Sequence, residues 1–397
     1  MPVPVAASPL GAPALLRRMS PLALLAAPLF FACFAGGCSG STDDLSGPSD
    51  QTGGAGGTIL TGGAAGTGSA AGTAGTAGDE PGGAAGSPGT GGQATGGSGG
   101  TTGTGGSTQT GGSSGGGTGG GTGGSTCYRE DYHPTADLSD LRNAYAPQHW
   151  LDAMLSTLER RHPDGFSLMD QMKADPWLQQ NFPTYFEMSD WEGMIFAVDT
   201  ACHEETHGWD YERALSTPGR HAFYLRANLT LTAPKLSFFP RNELLGYAQQ
   251  DGSVTAFYDD YLTGEQGSYD FVALADELNA YINGLACATS VGDQFDDEYM
   301  VSYRDGVAAH VLYLLYYLKH ARTSYPSLYA QWKADADWQK FVRFSWARAH
   351  YWTDESKTYP FYGIDDAPIW ARINQQNNRV EMENFAGQSP DAVACTP

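Results

Sequence analysis

Positive charge is what this sequence has least of. Its 397 residues carry 22 Lys and Arg against 44 Asp and Glu, a formal net charge of −22. That deficit argues against a nucleic-acid partner, because phosphate backbones are held by a surplus of cations. Long apolar runs are missing as well. Beyond the N-terminal region no stretch of 18 uninterrupted apolar residues occurs, the least that reads as a bilayer span. There is no G-x-S-x-G, P-loop or dinucleotide fingerprint, so serine-hydrolase and nucleotide chemistry are not signalled. Between Ser39 and Thr126 there is no Lys, no Arg and no aromatic residue, while 36 of the 52 Gly fall there. A segment of that composition cannot bury enough apolar surface to offset its ordering entropy. Residues 39–126 are therefore expected to be a disordered Gly/Ser/Thr-rich tether with an r.m.s. span of about 50 Å.

What is present divides into an address and a domain. Arg17 and Arg18 precede an apolar run, Pro21 to Phe34, followed by Ala35-Gly36-Gly37-Cys38. Residues 1–38 read as an export signal. The small residues before Cys38 resemble a bacterial lipobox, with Ala35 where Leu is usual. That resemblance implies a lipidated Cys38, loss of Cys33 with the signal, and a lipid-anchored protein of the bacterial cell envelope, at the outer membrane or cell surface. Contact with the membrane would then be through the anchor alone.

Residues 127–397 hold all nine Trp and 44 of the 47 aromatic residues, with 20 basic against 39 acidic side chains. They are the expected globular domain, and the acidity belongs to it. Its four cysteines, in an exported chain, are expected to form two disulfides; of the three possible connectivities the preferred one joins Cys127 with Cys395 and Cys202 with Cys287. Helical spacing predicts helices over 146–160, 166–181, 271–283, 306–322 and 329–351. Ser189 and Asp190 are N-cap candidates for a central buried helix that runs through Met194 and Ala201 and stops near Gly208. Alternation predicts one strand over 221–232, with a partner near 235–239, and the tail from Thr353 reads as irregular. The fold class is thus α+β, mainly helical, with a small sheet. The Trp-rich C-terminal segment (Trp332, Trp338, Trp346, Trp352) reads as core. Asp293, Asp296, Asp297 and Glu298 read as a solvated acidic loop, without EF-hand spacing for calcium.

On the central helix stands His203-Glu204-Glu205-Thr206-His207, an H-E-x-x-H. Two imidazoles one helical turn apart share a face and can bind one zinc ion. Glu204 is placed to act as general base toward an activated water. The chain here resembles the zincin metallopeptidases. Asp210 and Arg213 stand where a metzincin has Gly and His, so that branch is excluded. Asp276-Glu277-Leu278-Asn279-Ala280-Tyr281 is similar to the second helix of the gluzincins. The resemblance implies a zincin-like domain, a zinc cofactor held by His203, His207 and Glu277, and hydrolysis of a peptide or protein substrate. Glu205 departs from the family pattern, which is usually uncharged at that position. Glu243, His221 and Asp210 are rival third ligands. Tyr281 and His310 are candidates to stabilise an oxyanion, with Tyr281 carried as the catalytic one, and Asp199 and Asp276 are candidates to orient the imidazoles. The alternative is a non-catalytic lipoprotein displaying a binding or structural surface.

Overall fold

The computed structural model describes residues 127–252, 256–295 and 300–397. The expected signal, lipobox cysteine and tether lie outside these residues, as do Asp296, Asp297 and Glu298.

The described chain is mainly helical. It runs through α1 (Trp150–Arg161), α2 (Pro163–Met172), α3 (Trp191–Leu215), β1 (Arg220–Arg226), β2 (Leu229–Pro234), α4 (Phe271–Ser290), α5 (Tyr303–Ser324), α6 (Pro326–Ala334), α7 (Ala336–Ser356), α8 (Asp366–Ile373) and α9 (Gln376–Ala386). Each of the three helices that matter most begins on an aspartate. The Asp190 carboxylate accepts the Gly193 N–H at 2.8 Å, Asp270 accepts that of Val272 at 2.9 Å, and Asp335 accepts those of Asp337 and Trp338. These bonds satisfy backbone donors that a helix start otherwise leaves without partners.

Four features differ from the sequence reading. The alternating segment 221–232 is a hairpin, with Arg226 opposite Leu229 and Phe223 opposite Leu231. A two-residue turn preserves the period-2 alternation, so two strands read as one, and β2 ends at Pro234 before the segment expected to pair. The helix expected over 329–351 is two, because Asp335 is extended (φ −79°, ψ 122°) and caps α7. The tail is helical, carrying α8, α9 and a last turn at Pro390–Cys395. Helices α3 and α4 run past Gly208 and Gly284. A Cβ on Gly284 would meet the Asp199 carbonyl oxygen at 3.0 Å, so this glycine permits a close helix crossing and does not end a helix.

Two apolar clusters flank that crossing. The larger joins α4, α5, α6 and α7 and takes in Trp332, Trp338, Trp346 and Trp352, all fully buried. The smaller gathers Met154, Leu158, Met169, Trp191, Met194 and Val198 from α1, α2 and the first half of α3. Both expected disulfides are within bonding distance. Cys202–Cys287 bridges α3 to α4 inside the smaller cluster, and Cys127–Cys395 closes the domain end to end. Asp293 pairs with the buried Arg161.

A buried ion pair ties the N-terminal segment to this frame. Arg348 on α7 donates to Glu130 at 2.6 and 3.2 Å, both side chains fully enclosed, and also to the Asn283 carbonyl oxygen on α4 at 3.1 Å. Burial alone would raise the Glu130 carboxyl, but the facing guanidinium holds it below the usual carboxylate range. Arg348→Met is expected to destabilise the domain by about 3–5 kcal/mol in urea unfolding, because it strands a buried carboxylate. A loss under 1 kcal/mol would show that water reaches Glu130.

Candidate metal centre

The cap on Asp190 and the crossing at Gly284 set α3 and α4 side by side, and the proposed ligands face each other across that seam. His203 Nε2 and His207 Nε2 are 3.2 Å apart, and Glu277 Oε2 lies 3.7 Å from each. A tetrahedral ion with bonds of about 2.1 Å needs ligand atoms about 3.4 Å apart. Glu277 Oε2 is buried and has no hydrogen-bond partner, a position that is costly unless something fills the gap. Two imidazole nitrogens and a carboxylate oxygen are a donor set suited to zinc. The residues present therefore fit the ion.

A further carboxylate completes the frame. Asp276 Oδ2 lies 2.7 Å from His207 Nδ1, which accounts for the ring turning Nε2 toward Glu277. Burial would depress His207, yet Asp276 and then Glu277 raise it well above the ordinary histidine value. Burial, reinforced by His207, lowers His203 to about 3. Burial also works against Glu277, but the facing rings of His207 and His203 hold it down at about 2.

Beside the three ligand atoms opens a cleft of about 630 Å³. Glu204, Gly208, Tyr211 and Leu215 of α3 line it, at the i, i+4, i+7 and i+11 spacing of one helix face. Burial pushes Glu204 up to about 7. The opposite wall comes from the hairpin, through His221, Ala222 and Phe223, and from the start of α4. Asp175 and Trp177, from the loop after α2, close one side. The sequence reading missed these two, and no local signal marks them. Their place depends on how that loop folds back over α3.

The remaining candidates separate cleanly. Asp210 accepts the Tyr224 N–H at 2.6 Å and an Asn279 N–H at 3.0 Å, so it anchors β1 to α3 and α4. Glu243 is bonded to His320 and Tyr325, away from the three ligand atoms. His221 lines the cleft without joining the three-residue cluster. The Tyr281 ring packs edge-on against His203, and its hydroxyl bonds Tyr261 at 2.9 Å. His310 is fully buried, stacks on Tyr281 and holds the Gly306 carbonyl oxygen through Nδ1 at 2.8 Å. Asp199 sits at the α3–α4 crossing against Gly284, and burial, with Glu204 adding, pushes it up to about 8.

No protein-family model, curated protein or solved structure matches this chain.

Glu205 is the least expected member of that site. It is 1% exposed, lies in the cleft wall, and neither carboxylate oxygen has a hydrogen-bond partner. Burial, then the neighbouring Asp175, Glu204 and Glu212, push it up to about 9. Among the described residues no Lys or Arg pairs with it.

Proposed function

We propose that this protein is a zinc-dependent peptide hydrolase of the zincin type. Its zinc ligands are His203, His207 and Glu277, and it works in the bacterial cell envelope from a lipid anchor at Cys38. The convergence of three ligand atoms to within 3.7 Å, beside an open cleft, is the observation that carries this reading. When bound, zinc would supply a Lewis acid that polarises the scissile carbonyl and lowers the pKa of water. The rest falls to the chain. Glu204 borders the cleft, and a carboxyl near 7 is suited to taking a proton from the attacking water and passing it to the leaving amine. Asp276 orients His207. The cleft, walled by Phe223, Tyr211, Leu215 and Val272, gives an extended peptide apolar surface to lie on. Tyr281 serves as a wall that fixes the His203 ring. Residues 39–126 would act as the spacer that lets a tethered enzyme reach its substrates.

Purified protein is expected to take up one zinc per chain, measured by elemental analysis after dialysis. Each ligand must be free of its proton to bind, so affinity should be weaker at pH 6 than at pH 8. Asp276→Ala should weaken zinc about 10- to 100-fold in a competitive chelator titration. A protein that retains no zinc at pH 8 would remove the proposal.

A further inference from the structure

The metal centre and the catalytic carboxylate leave one side of the cleft unexplained. On α3, His203 and His207 lie along one margin of the cleft face. Glu205 lies on the other, about half a turn around the helix. There the helix carries Gly208, whose missing side chain leaves a gap. A Cβ at this position would sit 3.5 Å from Asp175 Oδ2 and 3.7 Å from Glu205 Oε2, with the flexible Met172 methyl at 3.0 Å. The two carboxylates thus close on the same space from two elements. Asp175 is half-buried and stands in front, with its other oxygen accepting the Trp177 N–H at 2.7 Å. Glu205 is buried behind it, without a partner on either oxygen.

Among the described residues no basic side chain answers them. Of the two basic residues bordering the cleft, Arg220 is already bonded to Asp337 and Thr232. Lys235 is exposed, just beyond the end of β2. A buried carboxyl with no hydrogen-bond partner on either oxygen is costly, and a docking cation would supply the donors it lacks and favour its ionised form. A glycine inside a helix is also unfavourable relative to alanine, which makes the gap at Gly208 a feature in need of a reason.

We propose that Asp175, Glu205 and the gap at Gly208 form a subsite for a cationic side chain, Arg or Lys, of the peptide substrate. This deepens the hydrolase reading and rests on it. The width of a helix, about 10 Å, separates the subsite from the zinc ligands. An extended peptide covers that distance in about three residues. The cation would therefore lie about three residues from the bond cleaved, as a determinant of specificity and not of the chemical step.

The test uses the full-length, zinc-loaded protein and pairs of labelled octapeptides. In each pair, arginine or its neutral isostere citrulline occupies one position, scanned along an otherwise uncharged sequence. At one or two adjacent positions arginine should bind about 10- to 100-fold more tightly than citrulline, the range of a charge-assisted contact. Glu205→Gln should reduce that ratio to below about threefold. Gly208→Ala serves as a second variant, because it raises helix propensity and fills the gap, and it should reduce the ratio as well. Equal binding of both peptides at every position, or a ratio unchanged in both variants, overturns the subsite. An arginine preference abolished by Glu205→Gln, in a protein that cleaves nothing, supports the subsite and sinks the hydrolase reading alone.

Discussion

Replacing Glu204 with Gln is expected to lower peptide hydrolysis by about 10²- to 10⁴-fold while leaving one zinc per chain. The range is that of a positioned general base. The substitution keeps the shape of the side chain and removes only its capacity to take a proton. It should not disturb the ligands, because His203, His207 and Glu277 meet one another without involving Glu204. Zinc content and cleavage rate, measured on the same preparation, separate the two roles. Loss of zinc together with activity would show that Glu204 supports the metal site. Retention of both would assign the proton transfer to another titratable group of the cleft wall, of which His221 is one.

The second large effect concerns the bridge beneath the site. Cys202 immediately precedes His203, and its partner Cys287 lies on the helix that carries Glu277. The sequence separation is 85 residues. A loop of that size corresponds to about 4.6 kcal/mol of denatured-state entropy. The double variant Cys202→Ala/Cys287→Ala is therefore expected to lose about that much stability in guanidinium unfolding. Its zinc affinity should also fall, because the α3–α4 seam that aligns the ligands is no longer pinned. An unchanged unfolding midpoint would show that helix packing alone holds the seam, and that the bridge adds nothing beyond it.

Which parts were legible in the sequence follows from how local each interaction is. Two imidazoles four residues apart on one helix form half a metal site without help from the rest of the chain, so H-E-x-x-H could be read directly. Asp190 as a cap, the buried Trp-rich helices and the even count of cysteines followed from similarly simple rules, whereas which cysteines pair is settled by the fold. The hairpin could not be told from a strand, because a turn of two residues leaves the alternation in phase. Asp335 looked like one more polar position in a long helix, although its side chain caps the second of two. Gly208 and Gly284 looked like helix ends, since a glycine in sequence carries no sign of what packs against it.

The sequence by itself determined a helical, acidic domain, a signal-like N-terminus and a histidine pair ready for a metal. Tertiary structure alone decided that Glu277, seventy residues after His207, reaches the same point in space. It alone placed Asp276 behind His207, and brought Asp175 from the loop after α2 to face Glu205 across the gap at Gly208. The reason is one of range. Helix geometry carries a side chain to its neighbours within a turn or two, whereas carboxylates from distant segments meet only after the apolar faces of α3 and α4 have packed and set their register.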